Sequence, residues 1–557
     1  MNHTHSKAST GFYVILHFFL FTFIGVGSAQ DEARFSGSLA TNANFFIRDT
    51  LIGASDTPQY DHQLFGGEAW LELNYSYKGF DVGARFDMFN NSNIINPQGS
   101  YSDQGIGRWF ISKKVHDLGI TVGYIYDQIG SGVIYRAYEE RPLAIDNALL
   151  GARLTYDIGD NWMLKGFAGK QKNRFEVYES VIKGFSIDGF HSFGEDAKVT
   201  IAPGIGVVSR TLDDNTMNSI VSDLRTYPKD ELFTPKYNNY AFSLFNNLSA
   251  GKFNWYFEAA YKSDDIFRNL NGDRFVQDDG TVFYTSVSYA NKGLGVTLEA
   301  KRTENFEFRA NPQEILNRGI VNFLPAMTRV NTFRLLARYN SATQFLGEVG
   351  YQADVSYKVS KKLSTNVNYS RITDLNDTPL YQELFTEITY KKGRIWQLIA
   401  GVQVQDYNQE IYEFKPGVPL VSTVTPYGEF LYKLSRKKAL RFEFQYMNVN
   451  ASDLGGELVK HDYGDWAFGL VEFTMAPHWT FTLSDMYNVG PGKLSPTDNT
   501  GEKASIHFPR FDVFYTYKSN RFSLSYVKQV EGVVCSGGIC RLEPAFSGVR
   551  MSVTSTF

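Results

Sequence analysis

Two thiols and one cluster of charges are the groups in this chain best placed to do chemistry. Cys535 and Cys540, in the run VVCSGGIC, are its only cysteines. The small residues Ser536-Gly537-Gly538 between them allow a tight ring, so in an oxidising compartment the pair reads first as a disulfide. A redox-active pair and half of a metal site are the alternatives, although two thiols without a nearby His do not complete a zinc shell. The charge cluster lies in the segment from Tyr124 to Gly151, where Arg136, Glu139, Glu140, Arg141 and Asp146 sit among Val133, Ile134, Leu143 and Ile145. Charges interleaved with core-type residues do not suit a loop that meets only solvent. No GxSxG, HExxH, P-loop or EF-hand spacing occurs. The one His–acid pairing worth noting, His461-Asp462, reads as a solvated loop pair. No catalytic residue, metal or cofactor is therefore expected, and the chain is not expected to be an enzyme.

The elements that must carry these groups are strands. Of 557 residues, 15% are aromatic and 48 are Gly, while 43% are hydrophobic, which excludes disorder. Mean hydropathy is -0.27. Past the N-terminus no window approaches the ~20 apolar residues of a spanning helix. A net charge of -4 gives no reason to expect a nucleic-acid partner. Segment after segment has period two. Ala69, Leu71, Leu73, Tyr75 and Tyr77 share one parity, against Glu68, Glu72, Asn74 and Ser76 on the other. After the turn Lys78-Gly79, Val82, Ala84, Phe86 and Met88 oppose Asp81, Gly83, Arg85 and Asp87. Because strand side chains alternate between faces, each strand has one apolar face and one polar face.

The connections alternate between turns of two to four polar residues and longer loops, as expected of strands running up and down between two different sides. Tyr75, Tyr77, Tyr156, Tyr390, Tyr432 and Tyr517 precede short turns, and Trp162, Trp396 and Trp479 follow them. A ring of aromatics at one interface is what a membrane barrel requires. Phe12 to Val26 is almost wholly apolar and is followed by Gly27-Ser28-Ala29, the layout of a signal peptide over residues 1–29. Residues 30–557 then form a single domain. The chain ends in an amphipathic strand closing on Phe557, which resembles the signal read by the barrel assembly machinery of the outer membrane.

The expected fold is therefore all-β: a large antiparallel transmembrane barrel with short periplasmic turns and long extracellular loops. Counting loops and turns gives about 24 strands, within the range of single-chain barrels. The stretch from Met327 to Ile372 holds three strand-like runs, 327–339, 345–358 and 362–372. Either one is an inward excursion or an extra hairpin raises the total to 26, and 24 is the favoured number. The polar parity predicts a lumen or constriction lined by Glu72, Arg85 and Asp87 and met by Arg136, Glu139, Glu140, Arg141 and Asp146 from a loop folded inward over 129–147. For this loop, structural packing is the stronger reading and a functional constriction or ligand contact the other. Residues 304–326 are expected to form a short helix and a second inward element. No globular plug precedes the first strand, which disfavours a TonB-dependent receptor.

The runs IGSGVIYRAYEERPLAIDNALLGARLTY, GEVGYQADVSYK and KQVEGVVCSGGICRLEPAFSGVRMSVTSTF resemble a family of uncharacterised outer-membrane β-barrels of Gram-negative bacteria, classed as a domain of unknown function. The resemblance implies the fold and the location in the outer membrane, with membrane lipid around the wall. It brings no substrate and no site residues. The leading expectation of function is a porin-like channel or transporter for small polar solutes. The alternative is a structural or docking barrel with an occluded lumen that binds a secreted or surface partner protein. The sequence sets no oligomeric state.

Overall fold

The computed structural model describes residues 33–194, 198–269, 272–454, 456–498, 500–536 and 538–557. The expected signal segment 1–29 lies outside the described residues. Twenty-four antiparallel strands form one continuous wall. They run from 8 residues (Leu118–Ile125) to 17 residues (Phe275–Asn291). The first strand, Arg34–Phe46, pairs with Phe65–Tyr77 on one side and with the last strand, Phe546–Thr556, on the other, so the sheet closes on itself. The seam is completed by reciprocal backbone bonds between Gly37 and Phe557, 2.8 and 3.0 Å long. Closure leaves no unpaired edge, the condition for a sheet to stand in lipid, where an exposed N–H or C=O has no partner. Two short pieces, Glu176–Val177 and His191–Phe193, pair onto wall strands and add none of their own, so the count is 24 and not 26.

Period two produces the inversion that a lipid solvent demands. Ile106, Phe444 and Leu483 point outward and are 61%, 60% and 59% exposed, whereas Glu258, Lys262 and Glu383 point inward and are fully buried. A soluble protein shows the reverse. Next to the short turns the outward side chains are aromatic. Tyr75, Tyr77, Tyr156, Trp162, Tyr432, Trp479 and Tyr517 are all exposed there, and neighbours such as Trp479 and Tyr515 pack with tilted rings whose centres are 4.6 Å apart. Rings with one polar atom suit the headgroup level, which fixes this belt at one interface.

Two expectations need correction. Alternation of connection length is not strict, because residues 174–180 and 374–378, at the loop end, are as short as some turns. These positions carry the turn-forming Asn376-Asp377 and the left-handed Arg174 and Asp377, so they reverse the chain without a loop. Residues 304–326 form no helix; the chain from 305 to 346 is irregular. Pro312 and Pro325 interrupt any helical register there, and Leu316 and Gly319 take left-handed conformations. The run 327–339 is the inward excursion, and the wall resumes with Gly347–Tyr357 and Leu363–Thr373.

Candidate functional site

An irregular backbone inside a barrel has no sheet ladder to satisfy it, so its polar groups must bond to whatever the lumen offers. Segment 305–346 meets this need through wall side chains. Arg210 donates to the carbonyl of Arg309 at 2.8 Å, and Lys262 donates to that of Glu307 at 2.6 Å. Gln403 and Gln405 donate to the carbonyls of Leu336 and Tyr339 at 3.2 and 2.7 Å. Gln445 accepts from the Leu335 N–H at 2.7 Å. Apolar side chains of the segment seal the same contact: Met327, Leu335 and Tyr339 are buried in a cluster with Tyr381, Tyr407, Met447 and Trp466 near the loop ends of their strands.

The charged loop 126–148 is the second inward element, as its composition predicts. Ile129, Val133, Ile134 and Tyr135 are buried against Phe167, Val208, Phe245, Phe306 and Phe308. Two glycines make the approach sterically feasible. Gly130 has φ +56°, and a Cβ there would lie 2.6 Å from a Glu258 oxygen; a Cβ on wall residue Gly206 would lie 2.4 Å from Ile129. Ser131 then donates to Glu258 Oε2 through both its N–H, at 2.9 Å, and its hydroxyl, at 2.6 Å. The two inward segments also bond to each other: the Arg136 N–H donates to the Val321 carbonyl at 2.9 Å, and the Phe323 N–H donates to that of Gly132 at 3.0 Å.

Arg85 is the electrostatic clamp between wall and loop. It is 2% exposed, and its Nε lies 2.7 Å from Asp87, its Nη1 2.8 Å from Glu139 and its Nη2 2.8 Å from Asp146. Asp146 also takes a hydrogen bond from Tyr126 at 2.7 Å and one from Lys172. Burial opposes its charge, but Lys172 and Arg85 prevail and hold the carboxyl below the usual carboxylate range. The structure thus brings together Arg85, Asp87, Glu139 and Asp146. Arg141 joins their edge by pairing with Glu139 at 2.8 Å and lying over the Trp70 ring. The remaining expected residues stand apart. Arg136 stacks on Tyr138 and Phe323, Glu72 meets Arg108 at 3.5 Å, and Glu140 has no ion pair among the described residues.

The cysteines form a disulfide, Cys535–Cys540, across the hairpin Gly532–Ser536 and Ile539–Glu543. The hairpin turns into the lumen. Ile539 packs with Leu143 and Ile145 of the charged loop, Asn317 donates to the Cys540 carbonyl at 2.8 Å, and the Thr343 N–H donates to that of Gly538 at 2.8 Å. It is a third inward element, hydrogen-bonded to segment 305–346 and packed against the charged loop.

Between the hairpin and residues 323–341 lies a cavity of about 410 Å³ lined by Arg329, Arg334 and Arg338, with Glu531 and Glu543. Sequence reasoning missed this place, because the arginines lie in a run whose alternation mimics a strand. His461-Asp462 also needs correction. Asp462 is not solvated: it is buried, receives a bond from the Tyr339 hydroxyl at 2.6 Å and one from Gln409 at 2.9 Å, and pairs with Arg338 at 3.3 Å. His461 faces Ser452 and the Leu420 carbonyl instead, so the two do not act as a pair. Nearer the short turns the lumen is wetter. Arg441 there is part-exposed among Glu429, Glu443 and Glu472, at 3.0 to 3.2 Å.

The chain belongs to a family of unknown function, DUF6029, whose model matches residues 10–557. Among curated proteins no sequence matches it. Solved structures similar to it include the siderophore receptor PirA from Pseudomonas aeruginosa, with 8% identity, a TM-score of 0.41 and coverage of 95% of this chain and 81% of that one. The outer membrane transporter YddB from Escherichia coli has 9% identity, a TM-score of 0.40 and coverage of 94% and 81%. OccK1 (OpdK) from P. aeruginosa has 10% identity, a TM-score of 0.33 and coverage of 71% and 96%. With its closed wall, apolar exterior and aromatic belt, the protein is a multi-pass outer-membrane β-barrel.

Proposed function

Taking membership of DUF6029 and a closed lipid-facing wall as premises, we propose that this barrel is a gated transporter for small polar solutes, closed in the state described here. The observation that carries the reading is the arginine-lined cavity of about 410 Å³ lying between two of the inward segments. A barrel filled only for rigidity has no need of a solute-sized, charged space at its constriction, whereas a transporter has to hold its cargo between the two sides. The wetter half of the lumen, nearer the turns, supplies a polar path on from that point. Planar-bilayer recording of the purified full chain is the test. Wild type should show small or infrequent openings, and deletion of residues 533–542 should give larger and longer ones.

The second reading is a structural or docking barrel with an occluded lumen. It is favoured by the number of wall side chains committed to holding the inward segments. Silence of both wild type and the hairpin deletion in bilayers, with folding intact, would establish that reading at the expense of the first.

A further inference from the structure

Among the described residues, Arg334 is the one guanidinium around the cavity without a hydrogen bond or ion pair. Arg329 donates to Asn366 at 2.6 Å and lies over the Phe385 ring at 3.6 Å. Arg338 reaches Asp462 at 3.3 Å, Arg510 is clamped on Asp512 at 2.9 Å, and Arg550 lies 3.7 Å from Glu543. Arg334 has no hydrogen bond or ion pair among the described residues, yet it is exposed at the cavity lining. Burial within the lumen works against its charge; Glu543 supports that charge, and Arg338, Arg510 and Arg550 oppose it. An arginine so placed is a cation awaiting an anion, and its planar fork matches a carboxylate in two parallel bonds. The mixed lining also offers apolar surface, from Pro325, Val330 and Val530 among others. Glu531, on the same lining and exposed, disfavours a ligand with a second negative charge.

We propose that the cavity binds a small organic monocarboxylate, its head on Arg334 and its apolar body against Val330 and Val530. The inference names the cargo class of the transport reading and rests on that reading for its use, but binding can be measured without transport. The volume admits a ring or short chain carrying one carboxylate.

The test is calorimetric titration of the full chain, folded in detergent, with benzoate, with benzylamine (same shape, opposite charge) and with inorganic phosphate. Benzoate should bind saturably and benzylamine should not compete. Arg334→Gln should weaken benzoate binding at least tenfold, Arg334→Lys less, and Glu531→Gln should not weaken it. Arg334 has no hydrogen-bond or ion-pair partner among the described residues, so its variants should keep the wild-type heat-modifiable band on gels. No saturable benzoate binding, equal binding by Arg334→Gln, or phosphate binding as tight as benzoate would each overturn the proposal. Solute uptake into vesicles separates the two readings. Benzoate binding lost in Arg334→Gln, without uptake by any variant, keeps the site and removes transport. Uptake without benzoate binding keeps transport and removes the site.

Discussion

Replacing Arg85 with Ala should release the charged loop from the wall without unfolding the barrel. The guanidinium is 2% exposed and pairs with three carboxylates, Asp87, Glu139 and Asp146. Removing one member of a buried ionic group costs ~3–5 kcal/mol, because the remaining charges stay buried and unpaired. Lys172 still holds Asp146, and Arg141 still holds Glu139, so the lower end, about 3 kcal/mol, applies. That shifts the balance between docked and released loop on the order of 100-fold. Hydrogen exchange followed by mass spectrometry should show faster exchange in peptides spanning 135–148. Residues 129–134 should stay protected, since Ile129, Val133 and Ile134 remain buried and Ser131 still bonds to Glu258. Lys170→Ala, which removes an exposed pair with Glu179, should change nothing. The triple variant Arg85→Met, Glu139→Gln, Asp146→Asn should recover most of the protection, because Asp87 and Lys172, already 4.0 Å apart, can pair with each other, and Arg141 at the edge keeps its place over the Trp70 ring. Unchanged exchange in Arg85→Ala, or a triple variant as labile as the single one, would refute the clamp.

Three further outcomes follow from the same geometry. Replacing Cys535 and Cys540 with Ser should loosen the hairpin by about 2 kcal/mol, the value for so small a ring; exchange in 532–543 should rise while the heat resistance of the barrel on gels stays unchanged. Asp462 is held below the usual carboxylate range: burial raises its pKa, but Arg338, the Tyr339 and Gln409 hydrogen bonds and Lys415 outweigh burial. Its contribution is therefore present above the unfolded carboxyl value of about 4 and is lost as pH falls through the lower folded value. Peptides over 331–346 should exchange faster at low pH once intrinsic rates are corrected for, and Asp462→Asn should remove that dependence. Leu298→Arg, on an outward position at mid-strand, should destabilise the barrel in lipid vesicles by ~2–4 kcal/mol, whereas Leu458→Arg in an exposed loop should be neutral in the same urea titration.

The wall was legible because its signal is local. Each strand repeats the same parity, as in Glu68, Glu72 and Asn74 against Leu71, Leu73 and Tyr75, and lipid on one side leaves a one-residue slip no tolerance. The inward fold of the loop expected over 129–147 was legible for a related reason: Val133, Ile134, Leu143 and Ile145 require burial that a surface loop does not provide. What could not be read was the lumen's content from 305 to 346. Its backbone is satisfied by Gln403, Gln405 and Gln445 from distant strands, and nothing local to 305–346 encodes those partners. The pair Gln403 and Gln405 on the inward parity was the available signal, since two amides in place of charges suit bonding to carbonyls and N–H groups. Arg334 was hidden because Phe333, Leu335 and Arg334 alternate as a wall strand would. Asp462 looked solvated because its partners, Arg338, Tyr339 and Gln409, come from other segments.

Each of the three obstructing pieces is spliced into the cylinder at both ends, between consecutive staves. The piece 126–148, for instance, leaves the strand Leu118–Ile125 and rejoins the strand Leu149–Ile158. Such a stopper can be pushed aside but never expelled. With both ends tethered, its tip travels at most roughly 40 Å, half its extended length at ~3.4 Å per residue. The return stroke is therefore built into the chain: whatever force moves the stopper, its own tethers keep it within reach of its seat.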